Sequence, residues 1–206
     1  MAAPTIVIAS DLEWQALEPL HGFNHIMTGV GMPAVYRSFL KLQTTGPLIN
    51  IGIGGAYPGT GLAVGDVVIV GSEVVGDLGM ELSAHPNFVP LRDFPFGSSH
   101  KTVNLFRPNL ADVPVVSGCT VSTVTGTDET GIRRRDQFAA SVETMEGFAV
   151  ADIANATGVR CFQLRAISNI AAERNMQPAN IRIALDALCA FWVQHGMGIL
   201  EALNEA

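Results

Sequence analysis

A few polar side chains in this sequence sit where a strand or helix end would present them to a ligand. Val142-Glu143-Thr144-Met145-Glu146-Gly147-Phe148 places two carboxylates around a methionine just before an apolar run. An acidic Met-Glu pair of this kind can grip sugar hydroxyls, because a carboxylate accepts hydrogen bonds from two vicinal hydroxyls at once. Arg165-Ala166-Ile167-Ser168-Asn169 ends an apolar strand on an amide that can read a purine edge. Arg165 has apolar neighbours; a buried arginine there needs a partner, and a glutamate of the same pocket is the natural one. Glu13 stands just beyond the first strand, with two readings. It is either a helix N-terminal acid stabilised by the helix dipole or a general base that directs water at one face of a sugar carbon. Glu143 and Glu146 also admit the plain reading of helix N-terminal acids.

Gly52-Ile53-Gly54-Gly55 is open in the same way. No Gly-Lys-Ser/Thr follows and the six-residue dinucleotide fingerprint is absent, so G-x-G-G is weak as a phosphate loop. It reads either as close approach between a strand end and its neighbour or as backbone approach to a flat or sugar ligand.

The elements that must hold these residues alternate. Thr5 to Ala9 reads as a buried strand, with Ser10 or Asp11 capping a helix through Leu20. Asn24 to Thr28 is a short strand. Pro33 fits the first turn of a helix that carries Val35, Phe39 and Leu42 inward. Pro47 to Ile51 is a continuous apolar run suited to a central strand covered on both faces. A strand over 67–75 follows Gly65-Asp66. Residues 79–99 are loop-like, broken by Pro86, Pro90, Pro95 and Gly97. A helix is predicted near 99–107, a strand over 113–124, a helix over 128–139, a helix from Glu146 to Thr157 ending at Gly158, and a strand from Arg160 to Ser168. The last helix is the clearest, with Ile181, Ala184, Leu185, Leu188, Cys189 and Trp192 on one stripe. Such alternation predicts one α/β domain over residues 1–206 with a central mixed, largely parallel sheet. Its glycine-rich strand ends put the ligand site at the carboxyl edge of that sheet.

Composition narrows the class. The 206 residues are 48% hydrophobic and 15% charged, a globular and not a disordered balance. Twelve basic against nineteen acidic residues give a net charge of −7, which repels nucleic acid. Arg133-Arg134-Arg135, the one basic cluster, lies among Asp128, Glu129 and Asp136 and reads as a solvated helix face. Cys119, Cys161 and Cys189 are odd in number, lack a C-x-x-C and have apolar surroundings, as expected of free thiols in a reducing compartment. The start of the sequence does not read as a signal or membrane segment, so a cytoplasmic, membrane-free location is expected. His21 and His25 lack a third ligand nearby and predict no metal site.

Taken in order, Glu13, Asn50-Ile51-Gly52, Gly65-Asp66-Val67-Val68, Met145-Glu146 and Arg165-Ala166-Ile167-Ser168 resemble the landmarks of the purine nucleoside phosphorylase/nucleosidase superfamily over nearly the whole chain. Thr28-Gly29-Val30-Gly31, Gly54 to Pro58, Asp77-Leu78-Gly79 with Glu81, Thr123 to Gly126, Glu143 to Gly147 and Ser168-Asn169 resemble, within it, the futalosine hydrolases. After Asn169 the sequence departs from that family. A Val-Gly pair, Arg-Asp and a tryptophan are replaced by Ile170-Ala171-Ala172-Glu173-Arg174-Asn175, with no tryptophan before Trp192.

The resemblance implies a three-layer α/β/α fold and hydrolysis of the N-glycosidic bond of futalosine, releasing hypoxanthine, on the futalosine route to menaquinone. It assigns Glu13 to water activation, Met145 to packing under the ribose, Glu146 to the 2′ and 3′ hydroxyls, and Arg165 to positioning Glu146. Asn169 then stabilises the departing base, while Gly54 and Val121 line the substrate pocket. The carboxyphenyl tail of futalosine needs a cation, for which Arg92 is the first candidate and Arg37 the second, each of which reads equally as a plain surface arginine. No cofactor is implied; water is the co-substrate, and a homodimer or larger homo-oligomer is expected, with the apolar Phe88, Phe94 and Phe96 serving either its interface or, equally, a monomer's lid.

Residue chemistry sharpens two choices. Phosphorolysis needs cations beside the anomeric carbon, and Glu13 would repel phosphate. The adenine-specific nucleosidases of the superfamily that the sequence resembles carry Asp where this sequence has Asn169, whereas an Asn amide donates to a 6-oxo group; such mismatches discriminate strongly. The alternatives are therefore a methylthioadenosine/S-adenosylhomocysteine or aminofutalosine nucleosidase, a 6-oxopurine phosphorylase, or a nucleoside-binding sensor on the same fold.

Overall fold

The computed structural model describes residues 3–40, 42, 45–83, 88–95, 102–111, 113–173 and 177–205. The chain opens with β1 (Thr5–Ile8), whose alternate side chains serve two cores: Ile6 and Ile8 face one side, Val7 the other. Ser10 caps α1 (Asp11–Ala16), accepting from the Glu13 N–H. That helix stops at Ala16 and gives way to a single 3-10 turn over Glu18–Leu20, not a helix through Leu20. Pro19 explains the break, because its ring lacks an N–H and would collide with the carbonyl four residues back.

β2 (Asn24–Met27) leads through Gly31, at φ 89°, into α2 (Met32–Phe39). Val35 and Phe39 are buried, but Leu42 lies past the helix end and is 46% exposed, contrary to expectation. β3 (Leu48–Ala56) and β4 (Val67–Val75) are long and almost wholly buried. Within 79–95 the chain is less irregular than its prolines suggest: β5 (Gly79–Glu81) and β6 (Phe88–Pro90) form an antiparallel ribbon, followed by a 3-10 turn at Leu91–Asp93. The expected Phe96 interface residue lies outside the described residues. Where a helix near 99–107 was predicted, β7 (Val103–Asn104) pairs instead with β4; residues 99–101 lie outside the described ones.

β8 (Val115–Thr120) ends earlier than predicted, leaving 121–127 as a connection into α3 (Asp128–Phe138). β9 (Val142–Thr144) is three residues long and had no counterpart in the sequence reading. α4 (Gly147–Thr157) closes on Gly158 at φ 71°, β10 spans Cys161–Ile170, and α5 spans Pro178–Glu205.

The sheet is mixed and mostly parallel. β2, β1, β3 and β10 run parallel in succession, as do β4, β8 and β9. Antiparallel pairings of β10 with β4 and of β3 with β9 join the two sets, so β3, β10, β4, β8 and β9 close into a ring. Helices cover both faces. α5 buries Ala184, Leu188, Trp192 and Ile199 in a core with Ile6, Ile49 and Leu164, while Phe148, Val150 and Val35 of α4 and α2 pack with Val7 and Val70. α5 is long and apolar enough to cross a membrane by length and composition, yet its stripe of Leu185, Leu188, Trp192 and Leu203 is buried on the sheet. Each such aliphatic side chain contributes roughly 1.5–3 kcal/mol by leaving water.

Candidate active site

The carboxyl ends of β1, β3 and β10 and the β9–α4 junction surround a cavity of about 320 Å³, within the range of small-molecule sites. Its lining includes Ser10, Glu13, Gly54, Met145, Glu146 and Asn169. Residues distant in sequence are thus collected where the parallel strands end, as the fold requires.

Glu13 is buried at 6% exposure, in the first turn of α1. Its Oε2 accepts from the Ser10 hydroxyl at 2.7 Å and its Oε1 accepts from the Ile53 N–H at 3.1 Å. Being a helix N-terminal acid and facing the cavity are therefore compatible. Gly52 makes the arrangement possible. A Cβ there would stand 2.5 Å from Glu13 Oε1 and 2.5 Å from Arg165 Nη1, so these atoms approach within 5.0 Å across the bare glycine.

Glu146 precedes α4 and is buried, with Oε1 accepting from the Gly31 N–H at 2.7 Å. Burial raises its carboxyl above the usual range; the positive charge of Arg165 and the Gly31 N–H act against that, and the Glu13 charge adds to it. Met145 lies between Thr144 and Glu146 on the cavity wall.

Arg165 is 2% exposed. Its Nη2 donates to Asn50 Oδ1 at 3.0 Å, and its Nε is buried without a partner. The expected direct pairing with a pocket glutamate is not found: among the described residues no ion pair joins Arg165 to Glu146, and the guanidinium acts on that carboxylate through its field.

Asn169 sits on a local irregularity. β10 pairs Ile167 with Gly54 and Asn169 with Gly55, so Ser168 is an extra residue in the ladder. The shift turns Asn169 to the cavity. Ser168 Oγ lies 3.2 Å from the Gly54 carbonyl and 3.0 Å from Asn169 Oδ1, and Asn169 Nδ2 donates to the Ile170 carbonyl at 3.1 Å. One Nδ2 hydrogen and one Oδ1 lone pair remain for a ligand.

Other expectations land elsewhere. Val121 is fully buried with Tyr57, Val74 and Phe138 and does not line the cavity; because β8 stops at Thr120, Val124 and Thr125 form that wall instead. Arg92 is held on α3, with Nη2 donating to the Gln137 carbonyl at 3.1 Å and its guanidinium 4.9 Å from the Phe138 ring centre. Arg37 is exposed on α2 and also absent from the lining. Glu143 also lines the cavity, but its carboxylate is engaged in a separate cluster, where it accepts from Arg134 Nη1 at 3.0 Å, the Tyr57 hydroxyl at 3.1 Å and the Thr125 N–H at 2.8 Å. The middle arginine of the basic run is therefore a buried ion-pair partner at 4% exposure, not part of a solvated face.

No Lys, Arg or His occurs among the described residues lining the cavity. Among the described residues no cluster of three or more histidine, cysteine or carboxylate groups could hold a metal ion. The chemistry available is the Glu13 and Glu146 carboxylates, the Asn169 amide and, outside the described lining, the Arg165 guanidinium close to Glu13.

The Phosphorylase superfamily matches residues 24–199. Futalosine hydrolase of Thermus thermophilus is 31% identical over 189 residues, covering 86% of this chain and 82% of that protein. The Acidothermus cellulolyticus futalosine hydrolase is 33% identical over 182 residues, covering 79% and 69%. Among solved structures, a futalosine hydrolase mutant of Helicobacter pylori aligns with a TM-score of 0.75 at 16% identity, covering 98% of each chain. A Helicobacter pylori MTAN mutant with 5′-methylthioadenosine in its active site aligns at 0.77, also at 16% identity, over 96% of this chain and 100% of that one. The chain belongs to the phosphorylase superfamily, in the family of the futalosine hydrolases that it matches along most of its length.

Proposed function

We propose that this chain is an N-glycosyl hydrolase that cleaves futalosine to hypoxanthine and dehypoxanthine futalosine, in the futalosine route to menaquinone. The observation that carries the reading is one cavity shared by Glu13, Glu146 and Asn169, with no cation among its described lining residues. Glu13 orients water and takes its proton as the bond to the base breaks through an oxocarbenium-like state. Ser10 and the Ile53 N–H hold both carboxylate oxygens, fixing its direction. Met145 packs beneath the ribose, and Glu146 accepts from the 2′ and 3′ hydroxyls. The free Asn169 N–H donates to the purine O6 as charge builds on the base, and its carbonyl oxygen accepts N7–H once solvent has protonated N7, since the amide has no proton to give. Gly54 lets the strand end approach the substrate. The protein is read as a cytoplasmic homo-oligomer acting on a nucleoside and water.

The test is chromatographic identification of the base released from futalosine and from its 6-amino analogue, in buffer without phosphate. Hypoxanthine from the first, with far slower adenine release from the second, is expected. Preferential adenine release would favour an adenine-type nucleosidase, and a strict phosphate requirement would overturn the hydrolase reading.

A further inference from the structure

Beneath the cavity lies a second polar cluster in which every strand of the closed ring contributes a side chain. Glu73 of β4 is fully buried and does not touch the cavity. Its Oε2 accepts from the Thr120 hydroxyl at 2.9 Å; its Oε1 accepts from Gln163 Nε2 at 2.7 Å and from the Thr144 hydroxyl at 3.1 Å. Gln163 Oε1 accepts in turn from Asn50 Nδ2 at 3.0 Å, and Asn50 Oδ1 accepts from Arg165. Space for Glu73 is made by two glycines: a Cβ on Gly118 would stand 2.4 Å from Glu73 Oε1, and one on Gly147 2.1 Å from the same atom.

The order of donors in this chain is forced from both ends. An ionised carboxylate only accepts, and a guanidinium only donates. Glu73 therefore obliges Gln163 to turn its NH2 inward and its oxygen to Asn50. Asn50 must then donate to Gln163, which leaves its own oxygen for Arg165. Reversing either amide would set acceptor against acceptor on one side of it and donor against donor on the other, a penalty larger than the value of a typical hydrogen bond. Thr120 extends the control to α4, since its oxygen accepts the Phe148 N–H at 2.7 Å, two residues beyond Glu146.

We propose that Glu73 is a positioning residue for the cleavage: through the Gln163 and Asn50 amides it fixes the Arg165 guanidinium behind Glu13 and Glu146, and through Thr120 it fixes the start of α4. The inference rests on the hydrolase reading above. Burial pushes the Glu73 carboxyl up to about 7, against the opposing effect of its hydrogen bonds and of Arg165. The titratable groups that sense it are Arg165 and Cys161 of β10 and Cys119 of β8; from β9 and α4 it meets uncharged Thr144 and Gly147. Both thiols are held up at about 12 by burial and stay neutral near pH 7. Protonating Glu73 lets it donate and so removes the constraint on Gln163. Activity should therefore fall as pH drops through about 7, where Glu73 takes up its proton.

The experiment compares wild type, Glu73→Gln and Gln163→Met, the last breaking the chain midway while leaving Glu73 its two threonine partners. In each folded variant kcat should fall roughly 100-fold, as for about 1 Å of misplacement. KM should change less than about threefold; the acid limb near 7 should vanish in Glu73→Gln and shrink in Gln163→Met, where only the route through Thr120 remains. The double variant should be no worse than the poorer single one. A folded variant with wild-type kcat and an intact acid limb would overturn the proposal. In parallel, the Arg165 side-chain NMR signals of 15N-arginine wild type, assigned with Arg165→Lys, should titrate with a midpoint near 7; signals unmoved by pH overturn it even if no variant folds. If wild type releases no base at all, the hydrolase reading fails, and the titration still decides whether Glu73 holds Arg165.

Discussion

Gly52→Ala is the smallest change that should separate folding from catalysis here. Gly52 lies within β3, where extended backbone accepts alanine, and it has no positive φ. The added methyl would stand 2.5 Å from Glu13 Oε1, 2.5 Å from Arg165 Nη1 and 3.3 Å from the Glu13 carboxyl carbon. Ordinary contact begins near 3.4 Å, so each group must retreat by about 0.9 Å. Neither is free to do so without loss. Glu13 is tied at both oxygens, to Ser10 and to the Ile53 N–H, and Arg165 is 2% exposed and bonded to Asn50. Overpacking of this size costs about 1–3 kcal/mol of stability, whereas about 1 Å at a reacting group costs roughly 100-fold in rate. Purified Gly52→Ala should therefore remain folded by circular dichroism and bind nucleoside by calorimetry. It should release base at about 1% of the wild-type kcat. A folded variant with wild-type kcat would show that the position of Glu13 and Arg165 does not limit the reaction, and the site argument would fail with it.

Glu13→Gln should abolish most turnover, by about 100- to 10,000-fold, while nucleoside still binds in calorimetry; undiminished turnover would remove Glu13 from water activation. Asn169→Asp should shift the ratio of adenine to hypoxanthine release by orders of magnitude in competition assays with futalosine and its 6-amino analogue, because one buried donor-acceptor match is exchanged for another. An unchanged ratio would mean residue 169 does not read the base. Arg134→Met leaves the Glu143 carboxylate buried beside Tyr57 and Thr125 without its cation. It should cost about 3–5 kcal/mol in chemical denaturation, and a loss below about 1 kcal/mol would return Arg134 to the class of exposed arginines.

What could be read from the sequence was what depends on local pattern. Glu13, Met145, Glu146 and Asn169 each follow or precede a strong apolar element, and strand ends of an α/β sheet meet at one edge, so all four reach the cavity. Arg134 was misread because the charges around it, at 128, 129 and 136, outvoted its spacing from Gly131 and Phe138. Those three residues form one buried stripe at helical period. β9 was invisible because three residues carry no periodicity. The bulge at Ser168 was invisible for a different reason: it is defined only by register against β3. Arg165 was rightly taken to be buried and in need of a partner. The partner it bonds, Asn50, is 115 residues away on a neighbouring strand, and nothing local distinguishes that amide from a nearby carboxylate. Val121 and Arg92 failed because their assignment depended on where a strand ends and how a proline-rich segment folds back. Neither is encoded within a short window.

The charge balance of the site ties these details to the choice of nucleophile. Among the described residues, Glu13 and Glu146 bring carboxylates to the cavity, and the guanidinium that tempers them, Arg165, lies beside Gly52 and is not part of the lining. Inorganic phosphate entering such a space would meet negative charge with no fork of donors among the described lining residues to hold it. A ribosyl ring acquiring positive charge at C1′ meets the opposite situation, because fixed carboxylates that need not reorganise stabilise it as the bond to the base lengthens. A described lining that carries carboxylates and no cation thus disfavours phosphorolysis and favours attack by water. Bringing a cation forward should reverse the first effect before the second. Val30→Arg, at the exposed rim of the cavity, should create measurable phosphate inhibition of hydrolysis while leaving the ratio of hypoxanthine to adenine release unchanged; insensitivity to phosphate would mean that charge at this rim does not govern access to the reacting carbon.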